Sequence, residues 1–268
     1  MKPISDTAFY CCGVRMEDAA RPRPICGDCF AKEFMDERGR AILEKFRNEK
    51  ASAISNAARH RIIDDILRSR LAEDPRLNVV IIGAGFDTRA FRLSGGLWIE
   101  LDEPAVIEYK NARLAAASAP NPLTRIAIDF ASDSLEAKLR PYAGRRPVAV
   151  VIEGVFMYLD DKTTVDLLRT LQRLFPQHRL VCDLMTRSFF ERYSRTLYEK
   201  IQELGASFAK LRDAPAELFV ANGYRELSAR SIVQTALRLL GFPIPHILAR
   251  TVLRRMMLGY RIFEFGFG

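Results

Sequence analysis

The pattern of hydrophobic and polar positions changes at about residue 76. Before that point, apolar residues recur at helical spacing, as in Phe30–Met35 and Ile62–Leu71. The pair Asp74-Pro75 ends the second of these segments, because proline disfavours helical geometry in the residue before it. From Leu77 onward, continuous apolar runs alternate with stretches of helical periodicity. The sequence therefore predicts helices first and alternating strands and helices afterwards.

The apolar runs predict five strands that are buried on both faces, at residues 77–82, 97–101, 124–128, 148–153 and 179–183. Helical stretches lie between them at residues 104–117, 134–139 and 163–175. Buried strands that alternate with helices are typical of a parallel sheet covered on both faces. In such a sheet, right-handed crossovers place a cleft at the carboxyl ends of the strands.

The pattern is less regular after residue 183. It predicts a long helical segment, a short helix that Gly223 ends, a short strand and an aromatic last strand, at residues 188–205, 217–222, 224–227 and 259–268. We predict a single domain in three parts: a helical cap, a cofactor-binding core and a substrate cap with the last strands, at residues 1–75, 76–183 and 184–268.

Composition narrows the class of protein. The chain has 268 residues, of which 49% are hydrophobic and 28% charged, as in globular domains with a sizeable core. No apolar run is long enough to cross a bilayer, and the first residues lack the apolar core of a secretory signal. We expect a cytoplasmic protein with no membrane partner. The formal net charge is +8, but we interpret the basic residues as spread among acidic ones, so we expect no nucleic-acid partner.

The cysteines give no sign of a metal site or a disulfide. Cys26-Gly-Asp-Cys29 has the spacing of a redox or zinc motif, but no predicted strand precedes it and no second such pair completes a zinc site. The cysteine count is odd, at five. We therefore expect no metal ion and no disulfide.

Acidic residues follow the first four predicted strands. The first strand runs into Gly83-Ala-Gly85 and then Asp87, and the next three lead to Asp102, Asp129 and Glu153. Because the carboxyl ends of parallel strands meet at one edge of a sheet, we expect these side chains to lie close together. Buried carboxylates are costly unless they bind something. Four of them around a glycine turn therefore indicate a ligand site.

The glycine turn argues against a dinucleotide cofactor. The dinucleotide fingerprint has a third glycine where this chain has Thr88, and Asp87 stands where a pyrophosphate prefers no acid. No lysine is placed to bind phosphate. Several carboxylates suit a cationic cofactor that lacks phosphate, and S-adenosylmethionine, with its sulfonium, amino group and ribose diol, has that chemistry.

Three motifs resemble those of the leucine carboxyl methyltransferase superfamily, and more closely its bacterial branch, which includes polyketide O-methyltransferases: Gly83-Ala-Gly-Phe-Asp-Thr-Arg89, Glu100-Leu-Asp-Glu-Pro104 and Glu153-Gly-Val-Phe-Met-Tyr-Leu159. The resemblance covers most of the chain. It implies an α/β fold with a doubly wound, mostly parallel seven-stranded sheet, an N-terminal helical cap and a helical insertion. It also implies S-adenosyl-L-methionine as cofactor, a carboxylate or hydroxyl of a small molecule as acceptor, and a place in secondary metabolism.

The resemblance implies a cofactor-binding role for eight residues: Arg59, Gly83, Gly85, Asp87, Asp102, Asp129, Phe130 and Glu153. The glycines would lie against the methionine part of the cofactor, with Asp87 directly after them. Asp102 would hold the ribose hydroxyls. Glu153 would face the amino group, and Arg59, with Arg61 as second choice, would bind the carboxylate.

At the adenine, the resemblance implies that Asp129 accepts a hydrogen bond from the amino group and that the backbone of Phe130 lies nearby. Tyr158 would stand near the transferred methyl group. A carboxylate acceptor needs no base, whereas a hydroxyl is helped by one. His60, next to Arg59, is the candidate base.

Two other functions stay open at this point. A nicotinamide-dependent oxidoreductase uses the same kind of fold, although it prefers the third glycine. An RNA-associated methyltransferase would need a clustered basic face and salt-dependent RNA binding. The sequence leaves the acceptor and the oligomeric state open.

Overall fold

The computed structural model describes residues 3–144, 146–242, 251 and 253–268, with side chains from residue 6 onward. Its centre is a seven-stranded sheet formed by β1 Asn78–Ile82, β2 Leu97–Asp102, β3 Leu123–Ala127, β4 Val148–Ile152, β5 His178–Met185, β6 Arg225–Ser231 and β7 Tyr260–Phe267. The strand order is β3-β2-β1-β4-β5-β7-β6. Strands β1 to β5 are parallel, and β7 runs antiparallel to both β5 and β6. The predicted fold class is confirmed.

The helices flank this sheet and precede it. They are α1 Pro3–Ala19, α2 Glu37–Lys45, α3 Lys50–Glu73, α4 Arg89–Arg92, α5 Pro104–Arg113, α6 Leu135–Leu139, α7 Asp161–Leu174, α8 Arg187–Phe189, α9 Arg195–Glu203, α10 Ala216–Ala221, α11 Ile232–Leu239 and α12 Arg254–Gly259. Short 3-10 turns lie at Ala31–Phe34, Ala116–Ser118, Arg140–Tyr142 and Phe156–Tyr158, and a π-helical turn at Phe190–Ser194 joins α8 to α9. None of the described helices is long and apolar enough to cross a membrane.

The sheet separates two apolar cores. In β1, Val79 and Ile81 face a core built with α1 and α3, whereas Val80 and Ile82 face a core built with α7. Alternate residues of a strand point to opposite faces, so a strand buried on both faces must be apolar throughout. This is why the central strands have no polar alternation in the sequence.

The structure differs from the predicted elements mainly after residue 183. Strand β5 extends to Met185, because β7 pairs with it along its whole length. Strand β6 continues to Ser231 and carries a bulge between Glu226 and Ser228. The segment 188–205 contains the π-helical turn, where one helix was predicted.

Candidate active site

The glycine turn after β1 packs closely against β2 and against the residues that follow β4. Gly83 and Gly85 have φ values of +70° and +46°, in the left-handed region that glycine adopts without strain. The backbone N–H groups of Gly83 and Ala84 both donate to the carbonyl of Leu101, each at 3.0 Å. A Cβ atom on Gly83 would lie 2.6 Å from Cγ2 of Val155. This position therefore requires glycine for both conformation and space.

Asp102, the last residue of β2, connects the turn to the neighbouring strand. Its Oδ2 accepts the N–H of Gly85 at 2.6 Å, and its Oδ1 accepts the N–H of Glu103 at 2.7 Å. Burial raises the pKa of this carboxyl above its usual value. Each carboxylate oxygen has two lone pairs, so Asp102 can still accept hydrogen bonds from a bound ligand.

A cavity of about 730 Å³ opens at the carboxyl ends of β1, β2 and β4. It brings together nine of the ten residues for which a site role was predicted: Arg59, His60, Gly83, Gly85, Asp87, Asp102, Phe130, Glu153 and Tyr158. Asp129 does not line it, since Oδ1 of Asp129 accepts the N–H of Ala131 at 3.0 Å. Asp133, four residues on, is the carboxylate of this loop that lines the cavity.

Glu153 lies at the centre of a buried group of charges. Its Oε1 accepts from Nε of Arg59 at 3.0 Å, and its Oε2 accepts from Nη2 of Arg89 at 2.8 Å. Burial alone would raise the pKa of Glu153, but the guanidinium groups of Arg89 and Arg59 outweigh it and hold this pKa well below its usual value. Glu153 therefore carries a negative charge at neutral pH.

Arg59 already has partners within the protein. Besides Glu153, its Nη1 lies 3.0 Å from the hydroxyl of Tyr260 and 3.4 Å from Oδ2 of Asp183. Tyr260 in turn donates to Asp183 at 2.6 Å. The last strand therefore helps to hold the arginine for which carboxylate binding was predicted.

Arg89 was not among the predicted site residues, although it belongs to the Asp87-Thr-Arg89 motif. Ligand atoms of His60, Asp87 and Glu153 lie within 4.8 Å of one another, as around a metal ion. The guanidinium of Arg89 donates to Asp87, to Glu153 and, through Nε at 2.7 Å, to Asp64. This fully buried side chain thus supplies the positive charge between the carboxylates.

His60 lies between two arginines, and a neutral ring accepts a hydrogen bond from one of them. Its Nε2 lies 2.7 Å from Nη2 of Arg92, and its Nδ1 lies 2.7 Å from Nη2 of Arg89 and 3.3 Å from Oε2 of Glu153. Burial and the nearby Arg89 lower the pKa of His60, so the ring is neutral. A general base needs a nitrogen that faces the acceptor. The geometry therefore favours a positioning role, and base catalysis by His60 stays a prediction.

Further buried ion pairs extend this group toward α1. Asp28 accepts from Nε of Arg15 at 2.9 Å and from Thr88 at 2.6 Å, and Arg92 donates to Asp64 at 2.6 Å. Arg15 also donates to the carbonyl of Phe86 at 2.8 Å. The N-terminal helices and the glycine turn are thus joined by charge-assisted hydrogen bonds, which are stronger than neutral ones.

The two ends of the cavity differ in chemistry. Among the described residues that line it, the carboxylates Asp87, Asp102, Glu103, Asp133, Glu153 and Asp166 outnumber the arginines Arg15 and Arg59. The other end is apolar and is built from the segment 185–208, α11 and α12 with Met185, Phe189, Leu197, Ile201, Phe208, Val233 and Met256. Tyr158 stands between them, with its ring 5.1 Å from that of Phe208. Burial raises the pKa of Tyr158 above its usual value.

A family model, leucine carboxyl methyltransferase, matches residues 9–172 of the chain. A protein from Parafrankia sp. is 29% identical over 188 residues, 64% of this chain and 59% of that protein. One from Frankia alni is 32% identical over 181 residues, 63% of this chain and 64% of that protein. Both are provisionally named S-adenosyl-L-methionine-dependent methyltransferases. The chain spans about six tenths of the length of these curated relatives.

Two solved structures are similar in fold. A DUF574 family protein from Streptomyces avermitilis has a TM-score of 0.58 at 15% identity, over 85% of this chain and 90% of that chain. A magnesium protoporphyrin IX methyltransferase from Synechocystis with bound SAH has a TM-score of 0.52 at 15% identity, over 90% and 99%. At this identity the likeness concerns the fold.

Proposed function

The chain belongs to the leucine carboxyl methyltransferase family, and from this premise we propose that it is an S-adenosylmethionine-dependent methyltransferase acting on an oxygen atom of a small-molecule acceptor. One observation carries the proposal: the glycine turn and the strand-end carboxylates open onto the same cavity as the apolar wall. A single cavity of about 730 Å³ has room for a donor at its acidic end and an acceptor at its apolar end.

The residues at the acidic end fit the proposed donor. Gly83 and Gly85 line the cavity without side chains, and the excess of lining carboxylates over lining arginines favours a cation. When bound, S-adenosylmethionine supplies a methyl group on a positively charged sulfur. In this proposal Asp102 and Glu103 hold the ribose hydroxyls, and Glu153 accepts from the amino group.

The chain contributes to the transfer mainly by positioning and by excluding water. The buried partners Asp183 and Tyr260 fix the guanidinium of Arg59, and Arg89 fixes the carboxylate of Glu153. Fixed groups hold a donor without reorganisation at the moment of reaction. The apolar wall around Phe189 and Phe208 keeps water from the acceptor, and the Tyr158 phenol borders the place where donor and acceptor meet.

The charges that line the cavity favour a hydroxyl acceptor over a carboxylate. Arg15 is paired with Asp28, and Arg59 with Glu153 and Asp183, so in the described part of the cavity wall the positive charge of both arginines is already balanced. An anionic acceptor would also lie near several lining carboxylates, which costs energy in a partly desolvated site. A neutral hydroxyl on an apolar molecule avoids both penalties.

The alternatives are less well supported. Family membership favours methyl transfer over the nicotinamide-dependent oxidoreductase, and Thr88 still stands at the third glycine position. The apolar end of the cavity suits a small molecule better than RNA, which is bound through phosphate and base contacts.

Two measurements test the proposed function. Calorimetry with S-adenosylhomocysteine should detect binding to the wild type, and Asp102→Asn should weaken it, whereas the exposed control Asp74→Asn should not. Labelled methyl transfer to a metabolite extract, followed by identification of the product, then gives the acceptor. A base-stable product supports an ether rather than an ester. Absence of donor binding in the wild type would refute the proposal.

A further inference from the structure

The positive charge of the chain is concentrated near its end. Between Leu227 and Phe263 there are six arginines and no aspartate or glutamate, while the whole chain has a formal net charge of +8. The interpretation of the basic residues as mixed with acidic ones therefore does not hold for this stretch. Helices α11 and α12, which line the apolar end of the cavity, both lie within it.

Exposed apolar side chains are concentrated in the same region. Of the seven large hydrophobic residues that are exposed in the described part of the chain, five lie at the end of α11, on α12 and on the π-helical turn: Tyr193, Leu239, Leu240, Phe242 and Leu258. Phe242 is 68% exposed. Tyr193 and Leu240 also line the cavity, so this group of exposed side chains reaches the cavity wall.

The arginines beside them are exposed. Arg238 lies next to Leu239, and Arg254 and Arg255 precede Leu258 on α12, which packs against α8 and α11. Within the described ranges these three arginines form no ion pair, whereas the exposed Arg187 and Arg212 pair with Asp213 and Asp161. We call the five apolar residues with Arg238, Arg254 and Arg255 the mouth surface.

We propose that the mouth surface docks on an anionic phospholipid bilayer, so that the apolar end of the cavity opens toward lipid. Arginines without acidic neighbours attract anionic headgroups, and protruding aromatic and aliphatic side chains gain by entering the interface. An acidic protein would pair with the arginines, but this pairing does not account for the exposure of Phe242. A concentration of exposed apolar side chains on neighbouring elements indicates an interaction site.

This inference departs from the expectation of no membrane partner, and it goes beyond the proposed function. It requires no membrane-spanning helix, since an interfacial surface lies in the plane of the headgroups. It also gives the apolar acceptor a route to the cavity that avoids water. Docking does not depend on the donor, so it is measurable in the absence of S-adenosylmethionine.

The test is co-sedimentation of the full chain with vesicles. We expect binding to vesicles of phosphatidylglycerol and phosphatidylcholine, weak binding to pure phosphatidylcholine, and loss of binding at 1 M salt, where the Debye length is about 3 Å. The triple variant Arg238→Glu, Arg254→Glu, Arg255→Glu should bind anionic vesicles roughly a hundredfold more weakly, at about fivefold for each arginine.

A matched triple variant controls for net charge. Arg76, Arg146 and Arg169 are exposed and lie outside the mouth surface, and their replacement by Glu changes the net charge equally. This variant should keep most of the vesicle binding. Phe242→Ser with Leu258→Ser should weaken binding severalfold at unchanged charge, which tests insertion. A wild-type circular dichroism spectrum and thermal unfolding midpoint show that each variant is folded.

Three results would overturn the proposal. The wild type fails to bind anionic vesicles, or both triple variants lose binding equally, or the chain binds poly-glutamate but not vesicles, as expected of a surface for an acidic protein. None of these results bears on donor binding, so the docking proposal and the proposed function can each be refuted without the other.

Discussion

Arg89 shows how a single buried cation organises the acidic end of the cavity. It stands where a metal ion would otherwise balance Asp87 and Glu153, and it also contacts His60 and Asp64. A buried charge is tolerated only when it is paired and hydrogen-bonded. The arginine therefore fixes the orientation of carboxylates whose job, in the proposed function, is to face a positively charged ligand.

Replacing Glu153 should weaken donor binding. Glu153→Gln keeps the shape but removes a charge that accepts from Arg59 and Arg89. Hydrogen bonds to charged groups contribute about 1.5–3 kcal/mol, so the affinity for S-adenosylhomocysteine should fall roughly ten- to a hundredfold. Calorimetry measures this, with the exposed Glu226→Gln as control. Equal affinities of wild type and Glu153→Gln would contradict the assignment.

His60 should make stability depend on pH. Because burial and Arg89 lower its pKa in the folded state, the unfolded chain takes up a proton below about pH 6.5 that the folded chain does not. The free energy of unfolding should therefore fall as the pH falls below that value, by up to about 1.4 kcal/mol per pH unit from this residue. His60→Gln should reduce this slope in urea unfolding between pH 5 and 7.

The buried His178, whose pKa is also lowered by burial, provides a comparison. His178→Gln should reduce the same slope, but it lies at the opposite end of the sheet and should leave methyl transfer unchanged. If His60→Gln also keeps full methyl transfer, base catalysis by His60 is refuted. An unchanged pH slope in both variants would show that neither histidine is neutral in the folded state.

Substitutions in the glycine turn between β1 and α4 separate two effects on stability: the backbone conformation of Gly83 and its close contact with Val155. Gly83→Ala introduces a left-handed alanine, which costs about 1–2 kcal/mol, and a clash with Val155 in addition. Gly83→Ala with Val155→Ala should remove the clash and recover part of the stability, whereas Gly144→Ala, with open space around it, should be nearly neutral. Urea unfolding compares the three. No recovery in the double variant would mean that the conformation alone decides.

The elements that the sequence predicts well are those that local patterns determine. Strands β1 and β4 are almost entirely apolar, and β2 is interrupted only by Glu100 before its terminal Asp102; the ends of the three strands follow from the glycines and acids that come next. Strand β6 and the end of β5 depend on pairing with β7, which is distant in sequence, so their lengths could not be read from the local pattern.

The site shows the same division. The strand ends predict that Gly83, Asp102 and Glu153 lie together, because parallel strands end at one edge of the sheet. No comparable pattern predicts Asp64 or Arg92, which reach the site from helices through side-chain contacts. The signal for Arg89 in the sequence is its position two residues after Asp87 in the Asp87-Thr-Arg89 motif.

Donor binding should stabilise the whole molecule, because the cavity is lined by α1, α3, the sheet and the segment 185–208 together. At a hundred times its dissociation constant, S-adenosylhomocysteine should add about 2.7 kcal/mol to the free energy of unfolding. Hydrogen exchange should show protection in α1 and α9 as well as at the glycine turn. Asp102→Asn at the same ligand concentration is the control, and protection confined to the turn would contradict a shared cavity.

The position of β7 between β5 and β6 has a consequence for synthesis on the ribosome. Strands β1 to β5 emerge first, but the outer edge of β5 stays unpaired until residues 260–267 have been made. An open strand edge invites pairing with other chains. Tyr260, which contacts Arg59, comes from this late strand, so the nascent chain has an incomplete site until then. A frameshift as late as residue 259 would therefore leave the outer edge of β5 unpaired. It would also remove Tyr260 and its contact with Arg59.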